Sequence, residues 1–468
     1  MKVMKFGAVS VSEVAWLRSM VRIIKAICEQ GEPLVVVCTA LVGIIDTLTD
    51  AARSAAAGDT VAVDAARREL WRRHRTLAEK LVSDSWGRET LYREWAELLK
   101  TLDQIARAMM RLGEHPPRSI DAIASLGERF GVHLVVAVLR QNGIPAQIID
   151  VTALIVTNDH FGAAHAFLDE SVERIRLRLK PLLLAGIVPV VPGNIGATRE
   201  GVVSILGRGG SNYTAALIGT AMAVQEVCLW TDVDGILTAD PKIVPEARTL
   251  VELSYVEAAE IASFGIEMTH PHMLTLLAEQ GIPLSIRNIW CPDRPGTRIV
   301  ANPQAPEQKI QAIISTHGLS LLSVAAATTN GHDRKSELPV RALTCIAEAS
   351  IEIYAFSQSF SEHSLTLAMR SADAIYVRDR LTASFEHDHP TGAIPRIALT
   401  MSVALVTVIS TSGGNGFMPQ TLTALGRAGV HILALSQATS SQHISFLLSE
   451  CEVDRAVRVL HRELGLAC

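Results

Sequence analysis

Three short stretches hold the residues best suited to chemistry. Gly207-Arg208-Gly209-Gly210-Ser211 follows a β-branched run, Val202 to Leu206, and opens a helical pattern, NYTAALIGTAM. Glycines there let the backbone approach a ligand closely, and a helix start offers unpaired N–H groups and the positive end of a dipole. A phosphate or a carboxylate is the expected guest. The second stretch runs Trp230-Thr231-Asp232-Val233-Asp234-Gly235-Ile236 and continues through Thr238-Ala239-Asp240-Pro241-Lys242. Two aspartates and a lysine around a tight turn suit ribose hydroxyls, magnesium and phosphates, although an ordinary acidic turn has the same composition. The third, Lys5-Phe6-Gly7, ends the first predicted strand and puts an ammonium where ligand sites of α/β sheets lie. Alone it would mean nothing. No metal-ligand set is assigned, since His270 and His272, two apart on a helical pattern, point to different sides.

These stretches need elements to position them. Short β-branched runs (KVMKF, PLVVVCTA, GIVPVVPG, EVCLWTD, PLSIR) alternate with longer helical patterns, beginning with one near Val11 to Gln30. That rhythm predicts an α/β fold, a mostly parallel sheet with helices on both faces, over residues 1–300. Residues 60–118 read as charged helix with a solvated face or a subunit contact. Residues 301–309, ANPQAPEQK, read as a linker.

Beyond the linker lies an internal repeat. IEIYAFSQSFSEHSLTLAM from Ile351 aligns with VHILALSQATSSQHISFLL from Val430, matching Ser357 and Gln358 to Ser436 and Gln437. Each copy reads as a strand, a Ser-Gln-x-x-Ser turn and a second strand. Flanking patterns predict a βαββα order, with one unit over 310–390 and another over 397–468. Such small units are expected to pack edge to edge or to dimerise.

At 468 residues the chain exceeds a single core, and two or three domains are expected. It is 49% hydrophobic and 19% charged, with a formal net charge of -5, which argues against nucleic-acid binding and against disorder. Seven unpaired-looking cysteines suit reduced thiols. The apolar runs are cut by charge, proline or hydroxyl residues, so the expectation is a cytoplasmic protein with no membrane partner.

Taken in order, the motifs resemble the aspartokinases, amino-acid kinases with C-terminal ACT domains. The resemblance runs through Lys5-Phe6-Gly7, VVVCTALVGIIDTL, Ser125-Leu126-Gly127-Glu128, LGRGGSNYTAA, LWTDVDGILTADPKIVPEAR, LSYVEAAEIASFG and IRNIWCPDRPGT, and the tail repeat is similar to paired ACT domains. It implies transfer of the ATP γ-phosphoryl group, with Mg2+, to the side-chain carboxylate of aspartate, under amino-acid regulation. Catalytic roles are implied for Lys5, Arg208 and Glu128. Substrate binding would fall to Thr39, Glu128, Arg208, Ser211 and Asn212. Nucleotide binding would fall to Lys5, Gly7, Ser10, Gly209, Gly210, Thr231, Asp232, Asp234, Lys242 and Glu267. Ser357, Gln358, Ser436 and Gln437 are implied for an effector, and a homodimer or higher homo-oligomer through the ACT-like domains. The chain departs from the family pattern at Ala8, Val9, Leu41, Ile45, Asn212 and Glu267. Two alternatives therefore stand beside aspartate phosphorylation: a kinase or transferase for another small amino acid or carboxylate, and a non-catalytic amino-acid-binding regulator.

Overall fold

The five β-branched runs form the parallel heart of one sheet, because strands covered on both faces need apolar side chains on both. In a computed structural model the described residues are 1–264, 271–304, 310–325, 337–349, 351–359, 364–388, 396–410, 417–437 and 443–466. The chain divides into two units. The first takes in Met1–Ile236, Thr249–Ala262 and the described part of Ile266–Gln304. The second takes in Leu237–Arg248 and the described parts of Ser263–Gly265 and Ala305–Cys468. The excursion Leu237–Arg248 thus departs from a simple division at the linker, of which 305–309 lie outside the described residues.

The first unit runs β1 (Lys2–Phe6), α1 (Ala8–Val11), α2 (Val14–Glu29), β2 (Leu34–Cys38), α3 (Ile44–Ala56), α4 (Thr60–Leu81), α5 (Ser85–Leu112) and α6 (Pro117–Gln141). It continues through β3 (Ala146–Ile148), β4 (Val156–Thr157), α7 (Leu168–Leu184), β5 (Val188–Pro192), β6 (Ile195–Thr198), β7 (Val203–Ile205), α8 (Gly210–Met222) and β8 (Glu226–Thr231). It closes with β9 (Glu252–Ser254), α9 (Tyr255–Ser263), α10 (Pro271–Gln280), β10 (Leu284–Asn288) and β11 (Thr297–Val300). The large sheet has the order β3-β5-β2-β1-β8-β10-β11-β9, parallel except for the β10–β11 pair. A small sheet, β4-β6-β7, lies apart from it. The charged stretch at 60–118 is helical as expected, and the apolar stripes of α4, α5 and α6 close around Trp95, Phe130 and fully buried His74. One expectation needs correction: among the described residues, α6 is long and apolar enough to cross a membrane, yet 78% of its apolar window is buried inside the protein.

The second unit holds the repeat as two βαββα copies: β12 (Ile310–Ala325), α11 (Glu337–Glu348), β13 (Ala355–Ser359), β14 (Ser364–Arg370) and α12 (Ser371–Asp388), then β15 (Arg396–Ser410), α13 (Phe417–Arg427), β16 (Ile432–Gln437), β17 (His443–Ser449) and α14 (Val453–Glu463). The copies join edge to edge as expected. Long strands β12 and β15 pair antiparallel in a six-stranded sheet of order β13-β14-β12-β15-β17-β16. The β12–β15 ladder shifts register where a left-handed residue interrupts each strand, Gly318 at φ 74° and Ser402 at φ 57°. Edge strands β13 and β16 neighbour each other although they end the hydrogen-bonded order. The Ser-Gln pairs sit differently from expectation. Ser357 and Gln358 are ladder residues of β13, and Ser436 and Gln437 of β16, because the apolar alternation of each run carries the strand through them.

Candidate active site at the carboxyl edge of the sheet

The first site element is the end of β1. Lys5 and Phe6 lie in register with Val37 and Cys38 of β2 and with Leu229 and Trp230 of β8, so Lys5-Phe6-Gly7 reaches the carboxyl edge between two parallel neighbours. The Trp230 carbonyl ties this corner together, accepting from the Gly7 amide at 3.5 Å and from the buried Ser10 hydroxyl at 3.3 Å. The Lys5 ammonium turns back toward Gly7, where a Cβ would lie 3.5 Å from Nζ. Burial lowers the Lys5 pKa to about 8, opposed by the charge of Glu128, which favours the protonated form.

Glu128 arrives from α6, whose glycines let the helix press against the end of β2. A Cβ on Gly131 would stand 2.9 Å from the Thr39 carbonyl, and one on Gly127 3.0 Å from Ile44. This approach brings Glu128, 1% exposed, to the Ala40 amide, which donates to Oε2 at 2.8 Å. Burial raises the Glu128 pKa to about 8, while the Ala40 N–H and Lys5 favour the carboxylate. Thr39, also buried, starts the same turn. Cation and acid are thus held by backbone geometry rather than by loops.

The glycine-rich stretch meets this edge from the other side. Gly207 at φ 87° and Gly209 at φ 74° take left-handed conformations that side chains resist, and Gly209 caps α8. The Gly193-Asn194 turn after β5 nests against that helix start. A Cβ on Gly210 would overlap the Asn194 side chain, and one on Gly193 would lie 2.5 Å from Ser211 Cβ. The Gly193 amide donates to the Cys38 carbonyl at 2.8 Å, which places Ser211 next to the end of β2. Asn212 is buried in the first turn of α8, and Arg208 is exposed ahead of it. Among the predicted residues, Lys5, Gly7, Thr39, Glu128, Ser211 and Thr231 therefore share one sheet edge.

The acidic turn divides. Asp232 is exposed, with one oxygen accepting from Thr231 Oγ1 at 3.1 Å. Asp234 is held by Asn288 at 2.8 Å and Arg294 at 2.5 Å. Lys242 belongs to the second unit and is exposed there. Its neighbours Ala239, Ile243 and Val244 enter the core under α14, Thr238 hydrogen-bonds His461 at 3.0 Å, and Arg458 donates to the Ile243 carbonyl at 2.9 Å. The structure thus does not place Lys242 in the unit that carries Asp232 and Asp234. Glu267 lies outside the described residues.

Several positioning residues escaped sequence reasoning. Gly193 and Asn194 were signalled only by a Pro-Gly-Asn turn after a β-branched run. Asp121, an acid within the apolar start of α6, accepts from the Gly162 and Ile205 amides at 2.9 and 2.8 Å and so fixes the strand that leads into Gly207. Burial raises its pKa.

The amino acid kinase family model matches residues 1–288, and an ACT domain model matches residues 408–464. The chain is 28% identical to the lysine-sensitive aspartokinase 3 of Escherichia coli over 473 residues, covering 99% of this chain and 98% of that protein. It also matches larger bifunctional aspartokinase/homoserine dehydrogenases but spans only about half their length or less: 41% of the Haemophilus influenzae protein at 26% identity and 50% of one from Arabidopsis thaliana at 24%. Among solved structures, E. coli aspartokinase III in complex with aspartate and ADP superposes with a TM-score of 0.79 at 26% identity, covering 99% of this chain and all of that one. The same enzyme with lysine and aspartate gives 0.79 at 25%. With its catalytic-type sheet and glycine-rich helix start both matched over more than half its length, the chain belongs to the amino acid kinase family.

Proposed function

We propose that the protein transfers the γ-phosphoryl group of ATP to the side-chain carboxylate of aspartate, under control of an amino-acid effector. The observation that carries this reading is the half-buried Lys5 ammonium at the end of β1 and the buried Glu128 carboxylate, whose charges act on each other, set at one sheet edge with the start of α8. A carboxylate oxygen attacks the γ-phosphorus, the bond to the β-phosphate bridging oxygen breaks, and ADP leaves with that electron pair. Positioning and charge neutralisation are what the protein must supply.

In this reading Lys5 neutralises charge on the migrating phosphoryl group, and Glu128 keeps Lys5 protonated while its second oxygen receives the substrate ammonium. Arg208 pairs bidentately with the α-carboxylate. Ser211, Asn212 and Thr39 complete the substrate cradle. Gly7, Gly209, Gly210, Thr231, Asp232 and Asp234 serve the nucleotide, with Lys242 and Glu267 in the same role. Mg2+ would supply charge neutralisation on the phosphates. Such ions are held through phosphate oxygens and one or two carboxylates, which exposed Asp232 fits; among the described residues no cluster of three His, Cys, Asp or Glu forms a protein cage.

We assign 1–300 as the catalytic domain, 301–309 as linker, and 310–390 and 397–468 as two ACT-like domains. Ser357 and Gln358 on β13 and Ser436 and Gln437 on β16 are assigned to an amino-acid effector; the neighbouring of these two edge strands supports the assignment. Phe356, 66% exposed on β13, with Leu433 and Leu435 exposed on β16, supports a homo-oligomer through this unit, and we assign the protein to the cytoplasm.

The test is a kinase assay with ATP, Mg2+ and a panel of small amino acids, trapping acyl phosphate with hydroxylamine. Hydroxamate from aspartate is the expected result. Product from another acid alone would replace the substrate, and silence across the panel with intact amino-acid binding would make the protein a non-catalytic regulator.

A further inference from the structure

A cavity of about 630 Å³ opens on the α2 face of the large sheet, over β1, β8 and β10. It is well within the size range of small-molecule sites. Its floor is set by register: Met4 pairs with Cys228, and Trp230 with Arg287, so these side chains share one face. Arg22 and Ile23 of α2 form one wall, and the turn from Trp290 to Arg294 forms the other. Trp290 is fixed by its contact with Trp16, ring centroids 4.4 Å apart.

The polar groups are unbalanced in one direction. Four basic side chains, Lys2, Arg22, Arg287 and Arg294, line the cavity against two acids, Glu226 and Asp293. Glu226 is already engaged by Ser285, with Lys2 and Arg287 each at 3.9 Å. Trp230, only 4% exposed, has an indole N–H with no partner among the described residues, and the same holds for Nε of Arg287. A buried donor without an acceptor is costly, and such groups in native proteins usually have an explanation. The apolar floor and the two acids disfavour a polyphosphate.

We infer that this cavity binds a small aromatic carboxylate, with its carboxylate on Arg22 and Arg287 and its ring between Trp290 and Ile23. Arg294 links the site to the proposed nucleotide motif, since the guanidinium that lines the cavity is the one paired with Asp234 at 2.5 Å. The ligand carboxylate, held by Arg22 and Arg287, adds negative charge to the cavity that also attracts this guanidinium and so weakens its hold on Asp234. This consequence for nucleotide affinity rests on the proposed role of Asp234; binding at the cavity does not.

The test is calorimetric titration of the full chain with indole-3-acetate, beside the Arg22→Ala and Trp290→Ala variants, with inorganic phosphate as competitor. One-site binding with a dissociation constant below about 1 mM is expected, weakened at least about tenfold by each substitution and not displaced by phosphate. Turnover without the probe should be unchanged in Arg22→Ala, which verifies that the variant is folded. Absence of saturable heat up to about 10 mM, or an affinity indifferent to both substitutions, overturns the site. Displacement by phosphate reduces it to a generic anion patch and overturns it equally. Either failure leaves the kinase assay untouched.

Discussion

Replacing Gly131 by alanine should damage the site from a distance, and the size of the effect follows from one contact. The new Cβ would stand 2.9 Å from the Thr39 carbonyl oxygen, against an ordinary contact of 3.4 Å or more, and its nearest neighbours are backbone atoms of Thr39 and Ala40 that cannot rotate away. Relief requires α6 to retreat from β2 by about 0.5 Å, the difference between those distances. The 2.8 Å hydrogen bond from the Ala40 amide to Glu128 spans the same gap and must lengthen with it. Overpacking costs about 1–3 kcal/mol, while alanine in place of a helical glycine contributes about 1 kcal/mol, so net destabilisation should be about 0–2 kcal/mol. Loss of positioning should lower kcat/KM at least about tenfold. Gly127→Ala is the internal control, because its Cβ meets only side-chain methyls, Cγ2 of Ile44 at 3.0 Å, Cδ1 of Leu48 at 3.3 Å and Cβ of Ala40 at 3.4 Å, and no backbone carbonyl. Denaturant titration and steady-state kinetics of both variants are the assays. If Gly131→Ala were as stable and as active as Gly127→Ala, the claim that helix approach sets Glu128 would be wrong.

His74 makes a further prediction. Burial lowers its pKa from 6.5 to about 4, so it folds neutral, and its contribution is complete above pH 6.5 and lost as pH falls from 6.5 toward 4. The acid loss amounts to about 3 kcal/mol. His74→Phe should flatten that slope in Tm measured between pH 4 and 7.5, and parallel curves for variant and parent would refute it. His461→Leu should remove the 3.0 Å bond to Thr238. It should cost about 0.5–1.5 kcal/mol and speed amide exchange across Leu237–Arg248, with His461→Gln restoring protection; unchanged exchange in the leucine variant would contradict the clamp.

Much of the fold was legible because its central strands are strongly apolar. β1, β2, β5, β8 and β10 each announce themselves, whereas β3, β9 and β11, of three or four residues, fall below any pattern length. The 79-residue offset carries β14 onto β17 and was visible in sequence. Its Ser-Gln pairs looked like turns only because hydroxyl and amide side chains favour turns, while pairing with β14 and β17 keeps them in strands. Glu128 could be placed only by resemblance, since no local pattern distinguishes one acid on a buried helix. The packing of the segment around Lys242 was illegible for a related reason: Ile243 and Val244 declare that they are buried but not in which core, and the contact with α14 is more than 200 residues away in sequence.

The central claim is that Lys5 performs phosphoryl-transfer chemistry at the edge of the sheet. Its most direct test is turnover of Lys5→Ala, by hydroxylamine trapping with aspartate, measured beside ATP affinity by calorimetry. The account predicts a loss of at least about 10²–10³ in kcat, with the ATP dissociation constant changed by no more than about threefold. A variant that turns over within about tenfold of the parent would contradict it.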